Sequence, residues 1–507
     1  MFRTAKTENG FVRGLPAADP RVTAFKGIPF AAPPVGENRW RAPQPCQNWE
    51  GTLDAYRFAP ISVQDTPGLG TDIYCREWHV DPEIPMSEDC LYLNVWTNAK
   101  TTGDKLPVLV WFFGGAFQWG YPSEMEFDGE RIARRGVIVV TVNYRLNLFG
   151  FLAHPELTRE QPDAPANFGL LDQQAGIKWV IRNIKEFGGD PENITIAGQS
   201  AGGGSVMAHL TSPSSKGLFQ RAIVMSGIIR SPYGASPIAP PLPLHDAEEQ
   251  GRSFLEFAGI SGLAEARTLD ASYLLQKYNE FAAEHSRMYT VQDGVFSVGD
   301  PIALYAENRH AGVPVMAGNT SNEFLSFLPA ADETELKKQA AALFGSRAEE
   351  FLAFPEASVR YGSHGYAPVS GIECKIKDLF LQNQKNGNKE NCYYYRFDAD
   401  IPGWDNPGNF HSVELWFFFE TLAKCWRPFE GRHYDLARHM CNYMTNFIKT
   451  GNPNGTDHNG NPMPEWNSYT KEHPAEMTFR TDGIVTGERQ ESPFISFLME
   501  QVHNRRE

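Results

Sequence analysis

The sequence lacks long hydrophobic runs, because no stretch approaches the roughly 18 consecutive apolar residues that a membrane helix requires. It also lacks a run of Lys or Arg, and its formal net charge of -15 repels phosphate backbones and anionic lipid. Its first residues contain no apolar segment as long as that of a secretory leader. We therefore expect no membrane insertion, no nucleic-acid partner and a cytoplasmic location. Secretion after removal of a signal peptide is the alternative.

Cysteine is scarce, since the 507 residues include 7 cysteines and no Cys-x-x-Cys pair. This spacing favours neither a zinc site nor a disulfide framework, so we expect no bound metal. Hydrophobic residues make up 41% of the chain and charged residues 21%, as in ordinary globular proteins. A chain of this length can therefore bury a large core without metal or disulfide support.

Short apolar runs alternate with helical patterns along the chain. Strands are predicted at 88–96, 108–113, 137–142, 194–197, 222–225, 313–317 and 393–397. Apolar residues at helical spacing between Asp172 and Phe187 predict a helix that leads into the strand at 194–197. Strands that alternate with helices are typical of a large, mostly parallel sheet with helices on both faces. The sequence therefore predicts the α/β class.

Three stretches depart from this alternation. Prolines and aromatic residues at 26–46 predict an extended surface segment. Residues 228–310 form a predicted helical lid or insertion, and 325–385 is assigned as a second helical insertion. Because no stretch has the composition of a linker, we predict a single domain that spans 1–507 and carries both insertions.

The stretch at 194–204 places one serine in a sharp turn. A short apolar strand ends in Gly-x-Ser-x-Gly at 198–202, and small residues on both sides let the chain reverse into a helix. The Ser200 hydroxyl is then exposed at the tip of the turn, which suits a nucleophile. A chain with 45 glycines often contains such a motif by chance, so the residues that accompany it decide its meaning.

A serine nucleophile needs a base, an acid that orients the base, and donors for the oxyanion. His411 is the candidate base, because it follows the strand predicted at 393–397 and opens an aromatic run that can hold it in place. Glu323 is the candidate acid, because it lies just past the strand predicted at 313–317. The alternatives, which lie in loops, a helix or an insertion, are His154, His209 and His364 for the base and Asp300 and Asp405 for the acid.

The oxyanion donors should be backbone amides beside the serine. One comes from Ala201, directly after the nucleophile, and the others from the turn Gly114-Gly115-Ala116 that follows an early strand. The order Ser200, Glu323, His411 is the one that α/β-hydrolases use.

Four segments resemble successive landmarks of the type-B carboxylesterases, the family of bacterial esterases, liver carboxylesterases and cholinesterases. These segments are FKGIPFAAPPVG at 25–36, SEDCLYLNVW at 87–96, the long block at 167–203, and FHSVELWFFF at 410–419. The resemblance implies an α/β-hydrolase fold and cofactor-free ester hydrolysis through an acyl-enzyme, with the triad at Ser200, Glu323 and His411. It places the oxyanion hole at Gly115, Ala116 and Ala201, with Gly114 shaping the turn.

The chain departs from the family pattern at several positions. Ala116 replaces a third glycine and predicts less room for bulky alcohols. Phe324 stands where glycine is usual, and Gln199 replaces the Glu of cholinesterases, which argues against choline esters. Ser62 replaces the usual partner of Cys90, so that Cys90 either pairs with Cys75 or stays reduced. Ser226 matches a family serine that hydrogen-bonds near the triad, and we expect a structural role for it.

We therefore predict a bacterial carboxylesterase for small to medium hydrophobic esters, a monomer or homodimer whose partner is its small-molecule substrate. The predicted substrate pocket is lined by Phe117, Trp119, Phe324 and Trp416. A serine amidase, lactonase or acyltransferase with the same triad is the enzymatic alternative. The non-enzymatic alternative is a catalytically silent adhesion module.

Overall fold

A computed structural model of the 507-residue chain describes residues 2–229, 240–323, 326–328, 330–359, 366–370, 372–457, 459–489 and 491–504. Phe324 and His364, both named above, lie outside these ranges.

An 11-stranded sheet forms the centre of the described part of the chain. Its strands are β1 (Leu15–Pro16), β2 (Thr23–Pro29), β3 (Tyr92–Thr97), β4 (Leu106–Phe112), β5 (Ile138–Val142), β6 (Gly189–Gln199), β7 (Arg221–Met225), β8 (Val315–Thr320), β9 (Cys392–Phe397), β10 (Ala475–Arg480) and β11 (Gly483–Glu488). The spatial order is β11-β10-β9-β8-β7-β6-β4-β5-β3-β2-β1. Neighbouring strands from β10 to β5 run parallel, whereas those at both edges pair antiparallel. The mostly parallel sheet is confirmed.

Short strands form smaller sheets around the large one. A 3-stranded sheet contains Thr4–Thr7, Gly10–Arg13 and Thr52–Asp54. Two-stranded sheets pair Leu242–Pro243 with Val291–Gln292, and Ser326–Leu328 with Tyr366–Ser370.

Helices surround the large sheet. The α-helices are α1 (Tyr74–Glu77), α2 (Glu130–Ala133), α3 (Asn147–Phe151), α4 (Pro155–Glu160), α5 (Phe168–Asn183), α6 (Ala201–Thr211), α7 (Leu244–Ala258), α8 (Leu263–Ala266), α9 (Ala271–Ala282), α10 (Pro301–Ala306), α11 (Glu333–Phe344), α12 (Ala348–Leu352), α13 (Ile372–Lys385), α14 (Leu415–Phe418), α15 (Gly431–Thr450) and α16 (Pro493–Asn504). Short 3-10 helices lie at Gly36–Asn38, Met125–Phe127, Ile184–Phe187, Pro213–Ser215, Gly345–Arg347, Pro355–Ser358 and Leu422–Lys424. Among the described residues, no helix combines the length and the apolar composition needed to cross a membrane.

The central strands are apolar on both faces because helices cover both. In β4, Leu109 and Trp111 belong to one hydrophobic cluster, and Val108 and Val110 belong to the cluster on the opposite face. Successive side chains of a strand point to opposite faces, so a doubly covered strand is a continuous apolar run. This is the pattern by which β4 was predicted.

Two predictions about the outer segments were wrong. Residues 26–29 of the predicted extended surface segment are extended but not on the surface, because they belong to β2, which pairs with β3 and in which Ile28 is fully buried. Helix α13 lies within the assigned insertion at 325–385, yet its residues Ile376 and Leu379 pack in the same cluster as Val224 of the sheet. It is therefore part of the layer that covers the sheet, and the insertion ends before it. The division of the chain into one domain stays a prediction.

Candidate active site

The predicted nucleophile lies between β6 and α6. Ser200 has φ 56° and ψ -122°, a conformation that residues with a Cβ rarely adopt. The turn is tight, because a Cβ on Gly202 would lie 2.1 Å from the carbonyl oxygen of Phe112. The Ser200 amide donates a hydrogen bond of 2.9 Å to the carbonyl of Met225 and so ties the turn to β7. The strained backbone is thus held in place by packing and hydrogen bonding from two strands.

Glu323 and His411 form a buried pair. The distance from Glu323 Oε2 to His411 Nδ1 is 2.7 Å. The other oxygen, Oε1, accepts hydrogen bonds from the Ser226 hydroxyl and from the Thr320 amide, the latter at 3.0 Å. Burial by itself raises the pKa of Glu323, but the imidazole and these two donors outweigh burial and hold the pKa below its ordinary value. Glu323 therefore remains a carboxylate that faces His411.

Ser200 and His411 line the same cavity, which has a volume of about 520 Å³. We call it the wide cavity. The amide nitrogen Nε2 of Gln199 lies 3.2 Å from His411 Nε2. The structure therefore brings the three residues of the predicted triad together. The Nδ1 side of the His411 ring faces Glu323, and the ring lines the wide cavity that Ser200 also lines.

The Gly114-Gly115-Ala116 turn also lines the wide cavity. Gly115 has φ 105° and Ala116 has φ 54°, and the turn closes through hydrogen bonds from the amides of Gln118 and Trp119 to the Gly115 carbonyl, both 2.9 Å. A Cβ on Gly114 would lie 3.1 Å from the Ser200 Cβ, so the turn is in contact with the serine. Ala201 is the first residue of α6, and the first amides of a helix have no acceptor within it. Backbone donors are thus available on two sides of Ser200.

The four predicted pocket residues have different positions. Trp119 lines the wide cavity, and Phe117 lines a second, narrow cavity of about 70 Å³ that also reaches Ser200. Trp416 is fully buried and packs edge-on against Trp78, with ring centroids 6.0 Å apart. Since Trp78 is part of the cavity wall, Trp416 lies behind the wall. Phe324 is outside the described residues.

Comparison with known proteins identifies the family. The model of the carboxylesterase family matches residues 2–359 and 369–494. This chain belongs to the carboxylesterase family. The resemblance noted from four segments of its sequence is confirmed, and the chain is a carboxylic ester hydrolase.

Two relatives and one solved structure illustrate how closely this carboxylesterase follows its family. The fumonisin B1 esterase of Sphingopyxis macrogoltabida is 36% identical over 437 residues, which cover 82% of this chain and 75% of that protein. The para-nitrobenzyl esterase of Bacillus subtilis (strain 168) is 34% identical over 467 residues, covering 88% and 90%. A solved PNB esterase superposes with a TM-score of 0.76 at 30% identity, covering 98% of this chain and 100% of that one. The predicted α/β-hydrolase fold is confirmed.

The residues named above as alternatives for the base and the acid, as far as the structure describes them, have structural partners. His209 is fully buried in α6 between Ser215 and Gln173, and burial lowers its pKa to about 3. His154 and Asp300 cap α4 and α10, respectively. Asp405 pairs with Arg427 at 2.9 Å. None of these side chains contacts the pair of Glu323 and His411 in the hydrogen bonds described.

The sequence did not reveal a second buried acid, Glu414, which lies close to the pair of Glu323 and His411. Glu414 lies in the same aromatic run as His411, and its Oε1 is 3.4 Å from the hydroxyl of Ser226. Burial, together with the charge of Glu323, raises the pKa of Glu414 well above its ordinary value. Glu414 thus contacts Ser226, whereas Glu323 is the acid that contacts His411. Its position three residues after His411 was the only signal available in the sequence.

One acidic group among the described residues has the spacing of metal ligands. It consists of Glu373, Glu476 and Glu491, whose oxygens lie within 4.8 Å of one another. The ammonium group of Lys377 pairs with all three carboxylates, at 2.7, 3.2 and 2.5 Å. A lysine thus takes the place that a cation would need.

All 7 cysteines are free thiols, so Cys75 and Cys90 follow the reduced alternative.

Proposed function

We propose that Ser200 is the nucleophile of this carboxylic ester hydrolase, that His411 is its base and that Glu323 orients the base. His411 takes the proton of the Ser200 hydroxyl as the oxygen attacks the ester carbonyl. Glu323 stabilises the imidazolium, while the amides of Gly115, Ala116 and Ala201 hold the oxyanion. His411 then protonates the departing alcohol, and water repeats the sequence on the acyl-enzyme.

The observation that carries this assignment is the 2.7 Å contact between Glu323 and His411 at the wall of the cavity that contains Ser200. The donors on Glu323 Oε1 support it, because they leave Oε2 as the acceptor for the Nδ1 proton. The proton of the neutral His411 then lies on Nδ1, and Nε2, which faces away from the carboxylate, is the nitrogen that can accept a proton. This is the tautomer that a general base requires.

We propose that the two halves of the ester occupy the two cavities that meet at Ser200. The departing alcohol must lie beside His411, which protonates it, and His411 lines the wide cavity but is not among the residues of the narrow one. The alcohol therefore occupies the wide cavity of about 520 Å³, and the acyl group occupies the narrow cavity of about 70 Å³. Ala116 lines the wide cavity, so the predicted narrowing beside Ala116 leaves a space of about 520 Å³ on this side of Ser200.

The relative volumes of the two cavities predict whether the longer chain of a preferred ester lies in its acyl half or in its alcohol half. The narrow cavity of about 70 Å³ is much smaller than the wide cavity of about 520 Å³, so a long chain has less room on the acyl side than on the alcohol side. Each buried methylene contributes about 0.8 kcal/mol when it does fit. We propose short-chain esters of sizeable apolar alcohols as the substrate class.

The isomers hexyl acetate and ethyl hexanoate test this proposal, because they have the same composition and exchange the long chain between the two halves. We expect kcat/KM for hexyl acetate to exceed that for ethyl hexanoate by about tenfold or more, equivalent to roughly 1.4 kcal/mol in the transition state. Initial rates measured by titration of the released acid give both values. Equal rates, or a preference for ethyl hexanoate, would contradict the placement of the two halves.

A further inference from the structure

We propose that Gly204 sets the length of the acyl chain that this carboxylesterase accepts, because the absence of a side chain at this position keeps the narrow cavity open. Gly204 lines the narrow cavity together with Ser200 and Phe117. The inference deepens the proposed function and rests on its placement of the acyl group in this cavity.

Gly204 is the last of three consecutive glycines in α6, and packing requires only the first two. A Cβ on Gly202 would lie 2.1 Å from a backbone carbonyl oxygen of the sheet, and a Cβ on Gly203 would lie 2.8 Å from the Cα of Gly227. Both distances are too short for non-bonded atoms. A Cβ on Gly204 would have its nearest described neighbour, Cζ of Phe117, at 3.8 Å, which is an ordinary van der Waals distance. Alanine at position 204 therefore fits without a shift of the backbone.

The backbone conformation does not require glycine at position 204 either. The Gly204 amide donates a hydrogen bond of 2.8 Å to the Ser200 carbonyl, as in a regular helix, and Gly204 is absent from the described glycines that have a positive φ. Glycine in a helix is less favourable than alanine, because it loses more backbone freedom on folding. Glycine at position 204 thus weakens α6, and we infer that the space beside it serves the substrate.

The position of Gly204 on α6 places this space beside the nucleophile. Residues three and four positions apart lie on the same face of a helix, and Gly204 follows Ser200 by four positions. Met207 and Ala208 continue this face, and all of these residues line the narrow cavity. A methyl group at position 204 would touch Phe117 and so close the gap between α6 and this ring. The acyl chain would then have less room next to the serine.

Two other small residues of the same wall cannot take up volume in this way. A Cβ on Gly227 would lie 2.4 Å from the carbonyl carbon of Gly203, so a larger residue there would move the backbone. Ala201 is assigned as an oxyanion donor, and a change there alters the catalytic groups as well as the space. At Gly204 the size of the cavity can be changed without moving the backbone or replacing an oxyanion donor.

The experiment compares hexyl acetate with hexyl butanoate, which differ by two methylene groups in the acyl half alone. In Gly204→Ala we expect the ratio of kcat/KM for hexyl acetate to that for hexyl butanoate to rise by about tenfold, as when an apolar pocket loses room for one methylene group. The midpoint of thermal unfolding should stay the same or rise, because alanine favours the helix.

Gly431→Ala is the matched control. Gly431 is the first residue of α15, it is not among the described residues that line either cavity, and a Cβ on it would have no described neighbour within 4 Å. The same chemical change at this distant helix should leave the ratio within about twofold of the unmodified value.

An unchanged ratio in Gly204→Ala would overturn the role of Gly204, and so would a lower midpoint of thermal unfolding, which would mean that packing requires the glycine. Ethyl acetate and hexyl acetate show whether the proposed function fails as well. If the alcohol occupied the narrow cavity, Gly204→Ala would raise the preference for ethyl acetate over hexyl acetate and leave the acyl ratio unchanged. That result would contradict the placement of the two halves, whereas no change in either ratio would contradict the role of Gly204 alone.

Discussion

Ser200→Ala lowers kcat for hexyl acetate by roughly a millionfold, because removal of the nucleophile from a serine triad has an effect of this size. The oxyanion donors and the cavity remain, so a residual rate above that of water persists. The protein should still fold, since alanine keeps the Cβ and the backbone contacts of Ser200 to Met225 and Gly114 do not involve the hydroxyl. Initial rates and thermal unfolding of the purified variant measure the two effects.

Ser205→Ala is the matched control for this prediction. Ser205 lies on α6 and is buried, and its hydroxyl donates to the carbonyl of Ala201 at 3.0 Å, away from both cavities. Its replacement removes this hydrogen bond and the one that Ser205 accepts from Gln173 at 2.9 Å, and it should reduce stability by about 2 kcal/mol with activity preserved. Comparable activity in Ser200→Ala and Ser205→Ala would exclude Ser200 as the nucleophile.

Glu323→Gln should lower kcat by about 10,000-fold, as the corresponding acid-to-amide change does in a serine protease triad. The physical reason lies in the two donors on Glu323 Oε1, the Thr320 amide and the Ser226 hydroxyl. They orient the amide oxygen of glutamine toward themselves, so that the NH2 group faces His411 Nδ1. His411 must then accept at Nδ1 and carry its proton on Nε2, where it cannot take the serine proton.

Asp405→Asn is the control for the acid. Asp405 was the alternative acid on a loop, and its carboxylate pairs with Arg427 rather than with His411. We expect this change to keep kcat within about tenfold of the unmodified value, while it lowers stability because it removes one partner of a buried ion pair. If Asp405→Asn lost as much activity as Glu323→Gln, or if Glu323→Gln lost less than about tenfold, the role given to Glu323 would be wrong.

The positions of Ser200, Glu323 and His411 could be predicted because each follows a strand of the parallel sheet. The carboxyl ends of such strands meet at one edge, so residues far apart in sequence come together there. Strands β6, β8 and β9 are largely buried, and each contains a short run of apolar or aromatic residues that made it visible in the sequence. Chain order and strand ends were therefore sufficient to predict that Glu323 contacts His411 beside the cavity that Ser200 and His411 line.

The walls of the cavity could not be predicted in the same way. Glu124 and Glu126, which line the wide cavity, lie in a segment whose only regular structure is the 3-10 turn at Met125–Phe127, which leaves no periodic signal in the sequence. Trp416 illustrates the opposite error, since an aromatic residue close to His411 packs behind Trp78 and not beside the substrate. Whether an aromatic or acidic side chain faces a cavity depends on tertiary packing, and periodicity does not encode it.

The most direct test of the central claim is to identify the residue that a fluorophosphonate modifies. Such a reagent reacts with a serine hydroxyl that is activated by a base and held beside oxyanion donors. Digestion and tandem mass spectrometry of the labelled protein should place a single adduct on Ser200, with loss of hexyl acetate hydrolysis in proportion to labelling. An adduct on a different serine, or full activity in protein labelled at Ser200, would contradict the account.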